Sequence, residues 1–201
     1  MKTNEIREPI QKRSIEKKEK IIEAGFKLIC KKGYYNTNTA EIAKEANVST
    51  GIIYQYFRDK HDILIEGIKR YAEDIFYPML NIPKSKFNKE NIEEILREMI
   101  KNFTNKHKLS KTAHEEITAM THSDKSIADF FYEHEMYMTK TVANLLVENG
   151  FNPENILEKV HISINLIDDL CHEIVYHKHS ELNYDKMIDN VVSSIVYLLN
   201  N

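Results

Sequence analysis

Residues 33–64 read GYYNTNTAEIAKEANVSTGIIYQYFRDKHDIL, and the fold turns on how that stretch divides. Gly33 follows Lys31 and Lys32. A glycine can take the left-handed backbone that closes a helix, and cations suit a helix C-terminus, so the pair of lysines and the glycine predict a helix end with Gly33 as its αL cap. Asn38 is followed three residues later by Glu41, the spacing of a capping box, so a second helix starts there and buries Ile42, Ala43 and Ala46. Asn47, Val48 and Ser49 make a turn. A third helix from about Thr50 to Phe57 buries Ile53 and Phe57, and at 100° per residue it places Gly51, Gln55 and Arg58 near the opposite face. Two short helices joined by three residues read as a helix-turn-helix.

Outward from this segment the periodicity stays helical. Residues 1–13 carry few apolar side chains and several charges, which fits a flexible N-terminal arm. Ser14 is the expected N-cap of a first helix carrying Ile15, Ile22, Phe26 and Ile29 at helical spacing. Past Lys60 a long helix carries Leu64, Ile68, Tyr71, Ile75 and Met79 and stops in the Pro78 to Pro83 region. Further helices are expected at roughly 90–107, 110–121 and 124–149, the last closed by Asn149 and Gly150. Asn152 as a cap with Pro153 at the first helical position opens another helix, running to about His177 with Ile156, Val160, Ile164, Ile167, Cys171 and Ile174 on one stripe. The last helix begins near Tyr184 and continues to Leu199. Its apolar residues cover roughly half the circumference against about 100° for an ordinary surface helix, room for the body's own core and for a partner subunit. The expected fold is all-α, with about nine helices: an arm (1–13), a three-helix head (14–60) and a larger helical-bundle body (61–201).

Charge follows the same division. Residues 1–60 hold 13 Lys/Arg and 8 Asp/Glu, whereas residues 61–201 hold 15 and 23. A basic head is therefore joined to an acidic body, and phosphate binding needs only the local positive potential. Cys30 and Cys171 belong to no C-x-x-C pair and read as reduced thiols. No run of about eighteen apolar residues occurs, and the N-terminus lacks the apolar core of a signal peptide, so a cytoplasmic protein without membrane contact is expected.

A helix-turn-helix reads DNA when its second helix presents small and polar side chains to base edges while flanking groups hold phosphates. Thr50, Ile52 and Gln55 are the candidates for base contacts: Gln pairs with adenine in a bidentate way, and an exposed Ile or Thr methyl can meet the thymine methyl. Gly51 lets the backbone come close, and Thr39, Tyr54, Tyr56 and Lys60 suit phosphates, helped by the first amides of the second helix. The set Gly33, Tyr34, Thr37, Ile42, Ala43, Ala46, Val48, Ser49, Gly51, Tyr54, Tyr56, Phe57, Lys60 and Leu64 resembles the N-terminal signature of the TetR/AcrR family of transcriptional regulators. The resemblance covers residues 14 to about 68. It implies a homodimer of all-α subunits, joined through the last two helices, that binds a double-stranded, palindromic operator and usually represses, with a body that takes a small-molecule effector. It also implies Thr39, Ser49, Thr50, Gly51, Tyr54, Gln55, Tyr56 and Lys60 as DNA contacts. Asn38 stands where the family commonly has Thr or Ser, and Ile52 is apolar at a position often polar.

Residues 167–179, IDDLCHEIVYHKH, form the one cluster that points elsewhere. The zincin pattern needs two His four residues apart, whereas His172 and His177 are five apart and about 140° from alignment on a helix. Asp168 with His172 has i, i+4 spacing, which leaves a helical metal-binding protein or metal sensor as the alternative function. No nucleophile motif or Gly-rich phosphate loop is present, so no catalysis, cofactor or resident metal is expected. Phe103, Met120, Phe131, Tyr137, Asp168 and His172 are the candidate effector contacts among the aromatic, Met and polar residues of the body.

Overall fold

The computed structural model describes residues 11–80, 87–106 and 109–201, so the arm expected at 1–13 lies outside the described residues for positions 1–10. Among the described residues the chain is all-α, with nine helices and no strand. They are α1 (Lys12–Lys32), α2 (Thr39–Glu45), α3 (Thr50–Tyr56), α4 (Lys60–Leu80), α5 (Ile92–Lys106), α6 (Lys111–Ser123), α7 (Lys125–Glu148), α8 (Ile156–Tyr176) and α9 (Tyr184–Asn200). They gather into two compact units. The first comprises the described residues within Met1–Asp74 and Lys108–Ala128, the second those within Ile75–His107 and Asp129–Asn201. By contact, residues 60–74 of α4 and all of α6 therefore group with the helix-turn-helix.

The first unit is built on α1. Its N-cap is Gln11, not Ser14: the Gln11 carbonyl accepts the amides of Ser14 and Ile15 at 2.8 and 3.0 Å, which puts Ser14 inside the first turn. Ile21, Ile22, Ala24 and Ile29 are buried along α1. Ile21 and Ile22 share a core with Ile42, Ile53, Phe57 and Ile63, so α1, α2, α3 and α4 each contribute to one apolar centre. Such a centre is needed because α2 and α3 have seven residues each, too short to hold a helical conformation alone in water. Against α1, α4 comes close at Gly67, where an added Cβ would lie 2.3 to 2.7 Å from Phe26 atoms that include its own Cβ. Gly67→Ala gains about 1 kcal/mol of helix propensity, but overpacking costs about 1–3 kcal/mol, since the clash reaches the Phe26 Cβ and not only its ring. The expected result is a net loss of up to about 2 kcal/mol, read by urea denaturation; a stabilised variant would refute the close packing.

Along α4, Leu64 and Ile68 are buried as expected, while the side chains of Ile75 and Met79 lie outside the described residues. The helix continues through Pro78 to Leu80. In the second unit α5 packs on α8 and α9, with Ile100, Phe103, Val160, Leu170, Cys171 and Ile195 buried. Arg97 of α5 spans to Asp189 of α9 at 2.7 Å. Burial pushes the Cys171 thiol up to about 12, so it stays protonated and inert.

Two features of α8 differ from the sequence reading. Asn152 and Pro153 form a turn, with the Asn152 side chain accepting the Glu154 amide at 3.0 Å, and the helix starts after Asn155, which takes a left-handed backbone (φ 54°). The buried stripe is Ile156, Val160, Ser163, Ile167, Leu170 and Cys171, and Ile164 and Ile174 are only partly buried. At the other junction Gly150 has φ 88°, and the Phe151 amide returns to the Leu146 carbonyl at 3.1 Å, closing α7 as expected. On α9, Val192, Ile195 and Leu199 are buried, whereas Met187, Ile188, Val191, Val196 and Leu198 are only partly covered.

Candidate nucleic-acid interface

The helix-turn-helix begins where α1 ends. Gly33 has φ 90° and ψ 161°, a conformation open to glycine but different from the αL cap expected of it. Its amide still closes α1 on the Ile29 carbonyl at 2.8 Å. Thr37, 2% exposed, turns its hydroxyl back to the Gly33 carbonyl at 2.9 Å, which fixes the turn internally. Asn38 then caps α2: its side chain accepts the Glu41 amide at 3.0 Å, and the Glu41 carboxylate accepts the Asn38 amide at 3.1 Å. The Glu41 amide is thereby used inside the capping box, so that donor is not offered to a phosphate. Lys32 reaches the same carboxylate at 2.7 Å and holds it below the usual carboxylate range. Lys27 pairs with Glu45 at 2.8 Å, a second tie between α1 and α2.

Between the helices, Asn47 takes the left-handed backbone (φ 53°) and the Val48 amide bonds to the Ala43 carbonyl at 2.9 Å. Asn tolerates that conformation because its short polar side chain can bond locally. Ser49 precedes α3 and makes no side-chain capping bond. Along α3 the residues sort by the helical repeat. Thr50, Gly51, Tyr54 and Gln55 are exposed, whereas Ile53, Tyr56 and Phe57 are buried. Thr39, at the start of α2, brings its hydroxyl to 3.3 Å from the Tyr54 hydroxyl. A small polar ridge from Thr39 across Tyr54 to Gln55 thus faces away from the core.

Three expected contacts depart from that ridge. Tyr56, read as a phosphate contact, is 8% exposed and belongs to the core cluster. Lying three residues after Ile53, it is only about 60° from it on the wheel, on the same side as Phe57. Ile52, read as a base contact, packs partly buried against that cluster. Lys60 points its ammonium inward, donating to the carbonyls of Tyr34 and Thr37 at 2.7 and 2.8 Å and lying 4.1 Å from the centre of the Tyr34 ring. Burial lowers its pKa, with Glu116 and Asp59 acting in the opposite direction. Arg58 remains exposed, but its guanidinium grips Asp62 at 2.7 and 3.0 Å and holds that carboxyl below the usual range.

The other candidates scatter. In the second unit, buried Phe103 meets His172 edge-on at 5.5 Å, and His172 lies 3.1 Å from Asp168. Burial alone would lower the His172 pKa; Asp168 outweighs it and holds the imidazole above its ordinary value. Phe131 is partly buried beside Phe130. Met120 is buried in the first unit, whereas Phe103 and His172 belong to the second, and Tyr137 is 51% exposed. Among the described residues the group of three potential metal ligands with donor atoms within 4.8 Å of one another is Asp59, His61 and Asp62, and it excludes Asp168 and His172. That group is already employed: Asp59 accepts the His61 and Asp62 amides at the start of α4, and His61 Nε2 meets Asp124 at 2.7 Å.

Comparison with known proteins fits this arrangement. The description "Bacterial regulatory proteins, tetR family" matches residues 21–66, from α1 into α4. The HTH-type transcriptional regulator HbdR of Aromatoleum sp. (strain CIB) is 54% identical over 58 residues, 29% of this chain; the chain spans only a quarter of HbdR's length. The biofilm operon icaADBC HTH-type negative transcriptional regulator IcaR of Staphylococcus aureus is 30% identical over 139 residues, covering 61% of this chain and 74% of IcaR. A crystal structure of a TetR-family transcriptional regulator from Mesorhizobium loti shares the fold with a TM-score of 0.76 at 18% identity, over 94% of this chain and 98% of that one. No helix among the described residues is long and apolar enough to cross a membrane. With its helix-turn-helix inside the matched segment and its similarity carried across three quarters of a negative regulator, the chain belongs to the TetR family of regulatory proteins.

Proposed function

We propose that the chain is a DNA-binding repressor that acts as a homodimer on a palindromic operator and releases it when a small molecule binds the second unit. The observation that carries this reading is the exposed ridge of α3. Thr50, Gly51, Tyr54 and Gln55 project from a helix whose other side is buried, the division of labour a recognition helix needs. Ser49 and Thr50 stand at the start of that helix, and the paired hydroxyls of Thr39 and Tyr54 suit one phosphate. Gln55 is the base reader, matched to adenine. Repression is supported by the likeness to IcaR, a negative regulator by name.

Dimerisation through the last two helices is supported by apolar side chains left in the open. Ile162 and Leu166 of α8 are 49% and 40% exposed, one turn apart, and the partly covered residues of α9 extend the apolar surface on that helix. The Phe103, Asp168 and His172 group is the proposed effector contact, combining an aromatic wall with an ion pair. Selection of bound sequences from random DNA tests the whole reading: inverted half-sites about 10 base pairs apart are expected, the spacing two recognition helices reach in successive major grooves. Gln55→Ala is expected to lower affinity for the selected site roughly tenfold and to lose the same factor of discrimination at one A·T pair, with nonspecific binding unchanged. An unchanged preferred sequence would remove Gln55 from base reading.

A further inference from the structure

The turn between α1 and α2 is held from two sides by groups outside it. From α6, Glu116 accepts the backbone amides of Tyr34 and, at 3.2 Å, Tyr35 through one carboxylate oxygen. From α4, Lys60 donates to the carbonyls of Tyr34 and Thr37. An anion satisfies two of the turn's donors and a cation two of its acceptors, each through a charge-assisted hydrogen bond. Gly33 makes the approach possible: a Cβ there would lie 2.7 and 2.8 Å from the Glu116 oxygens. The N-cap of α6 is tied in as well, with the Ser110 amide bonded to the Cys30 carbonyl at 2.7 Å. Glu116 lies fifty residues past the segment matched by the family description, and no helix-turn-helix logic calls for a carboxylate there.

We propose that Glu116 is a positioning residue for DNA binding: by latching the Tyr34 and Tyr35 amides it makes the placement of α2 and α3 conditional on the position of α6. This rests on the reading of α2 and α3 as the DNA-binding helices. The turn leads into the Asn38 capping box without a residue to spare, so its displacement carries the start of α2, and with it Thr39 and its Tyr54 partner. Any event that draws α6 away exposes two amides that had a charged acceptor, and any event that seats α6 restores them. Glu116 then acts through the backbone of the turn, with no contact of its own to DNA.

The test uses the full chain and two readouts, amide hydrogen exchange and affinity for a selected DNA site. In Glu116→Ala, exchange at Tyr34 and Tyr35 is expected to accelerate roughly ten- to hundredfold, the scale of a lost charge-assisted hydrogen bond, while the Ile53 and Ile195 amides keep their protection. The thermal midpoint is expected to fall, but DNA affinity measured well below the unfolding transition, where the variant is fully folded, is expected to drop about tenfold, a combination that a purely structural role would not produce. Glu116→Gln, which keeps the shape and one acceptor oxygen, is expected to fall between the two and carries the test if the alanine variant does not fold. Unaltered exchange at Tyr34 and Tyr35 would overturn the latch. Faster exchange with undiminished DNA binding would overturn the positioning role. Wild-type protein that selects no DNA would instead overturn the DNA reading on which the role rests, a result separable from the other two.

Discussion

Phe57→Ala is expected to cost about 3–5 kcal/mol of unfolding free energy and to abolish DNA binding with it. Phe57 is 2% exposed and closes α3, its amide bonded to the Ile53 carbonyl at 2.9 Å. Its ring sits in the same cluster as Ile21, Ile22, Ile42, Ile53 and Ile63, so deleting it opens a cavity that touches four helices at once. The Lys18 ammonium lies 5.9 Å from the ring centre, an additional contact that the alanine removes. Against a total stability of about 5–15 kcal/mol for an ordinary domain, such a loss takes most of what holds two seven-residue helices in place. Urea denaturation followed by circular dichroism gives the number. A loss below about 1 kcal/mol would mean that the α1–α4 centre is not the stabilising core of this unit. Phe57→Leu, which keeps most of the apolar volume, is expected to lose less than half as much.

Lys60→Ala carries the second largest effect, and it separates two roles for the same side chain. A lysine that neutralises a phosphate contributes about 0.9 to the slope of log affinity against log salt. A lysine that holds two carbonyls contributes to the fold and leaves that slope alone. The sequence pattern placed Lys60 among phosphate contacts, but its ammonium is bonded to the Tyr34 and Thr37 carbonyls. Its removal is therefore expected to cost roughly 2–3 kcal/mol of stability, because two carbonyls lose a charged donor. DNA affinity is expected to drop through the loosened turn at an unchanged salt slope. A slope reduced by about one, with unfolding unaffected, would return Lys60 to the phosphates.

These two residues mark how far the sequence could be read. The helix-turn-helix was legible because its signals are local: the Asn38 and Glu41 box, the turn at Asn47 and the start of α3 all act within a few residues, and each stands where it was expected. The buried face of α3 was half legible. Assigning only Ile53 and Phe57 to it left Tyr56 outside, although residues three apart share a helix face. Lys60 and Glu116 were illegible for a different reason. Their partners are 26 and 82 residues away, and no local pattern distinguishes a lysine bound for a carbonyl from one bound for a phosphate. The peculiarity of Gly33 was visible, and its meaning was not: it frees a path for a carboxylate as well as ending a helix. Helix starts failed where two signals competed. Asn152 with Pro153 has the composition of a helix start, but the chain spends that pair on a turn and begins α8 three residues later. In the body, the choice of aromatic and Met residues could not foresee which unit each would join, and Met120 fell with the helix-turn-helix while Phe103 and His172 met in the other unit.

The brevity of α3 has a consequence for how such a regulator changes its target. Seven residues supply two turns, and the buried residues at 53, 56 and 57 interleave with exposed ones at 50, 51, 54 and 55. Recognition and stability are thereby written on opposite sides of one short peptide, with almost no residue serving both. The exposed positions can be exchanged as a set while the core keeps its side chains, so new operator preferences are reachable by grafting four residues, and a library varied at Thr50, Gly51 and Gln55 without proline at position 55 is expected to remain folded.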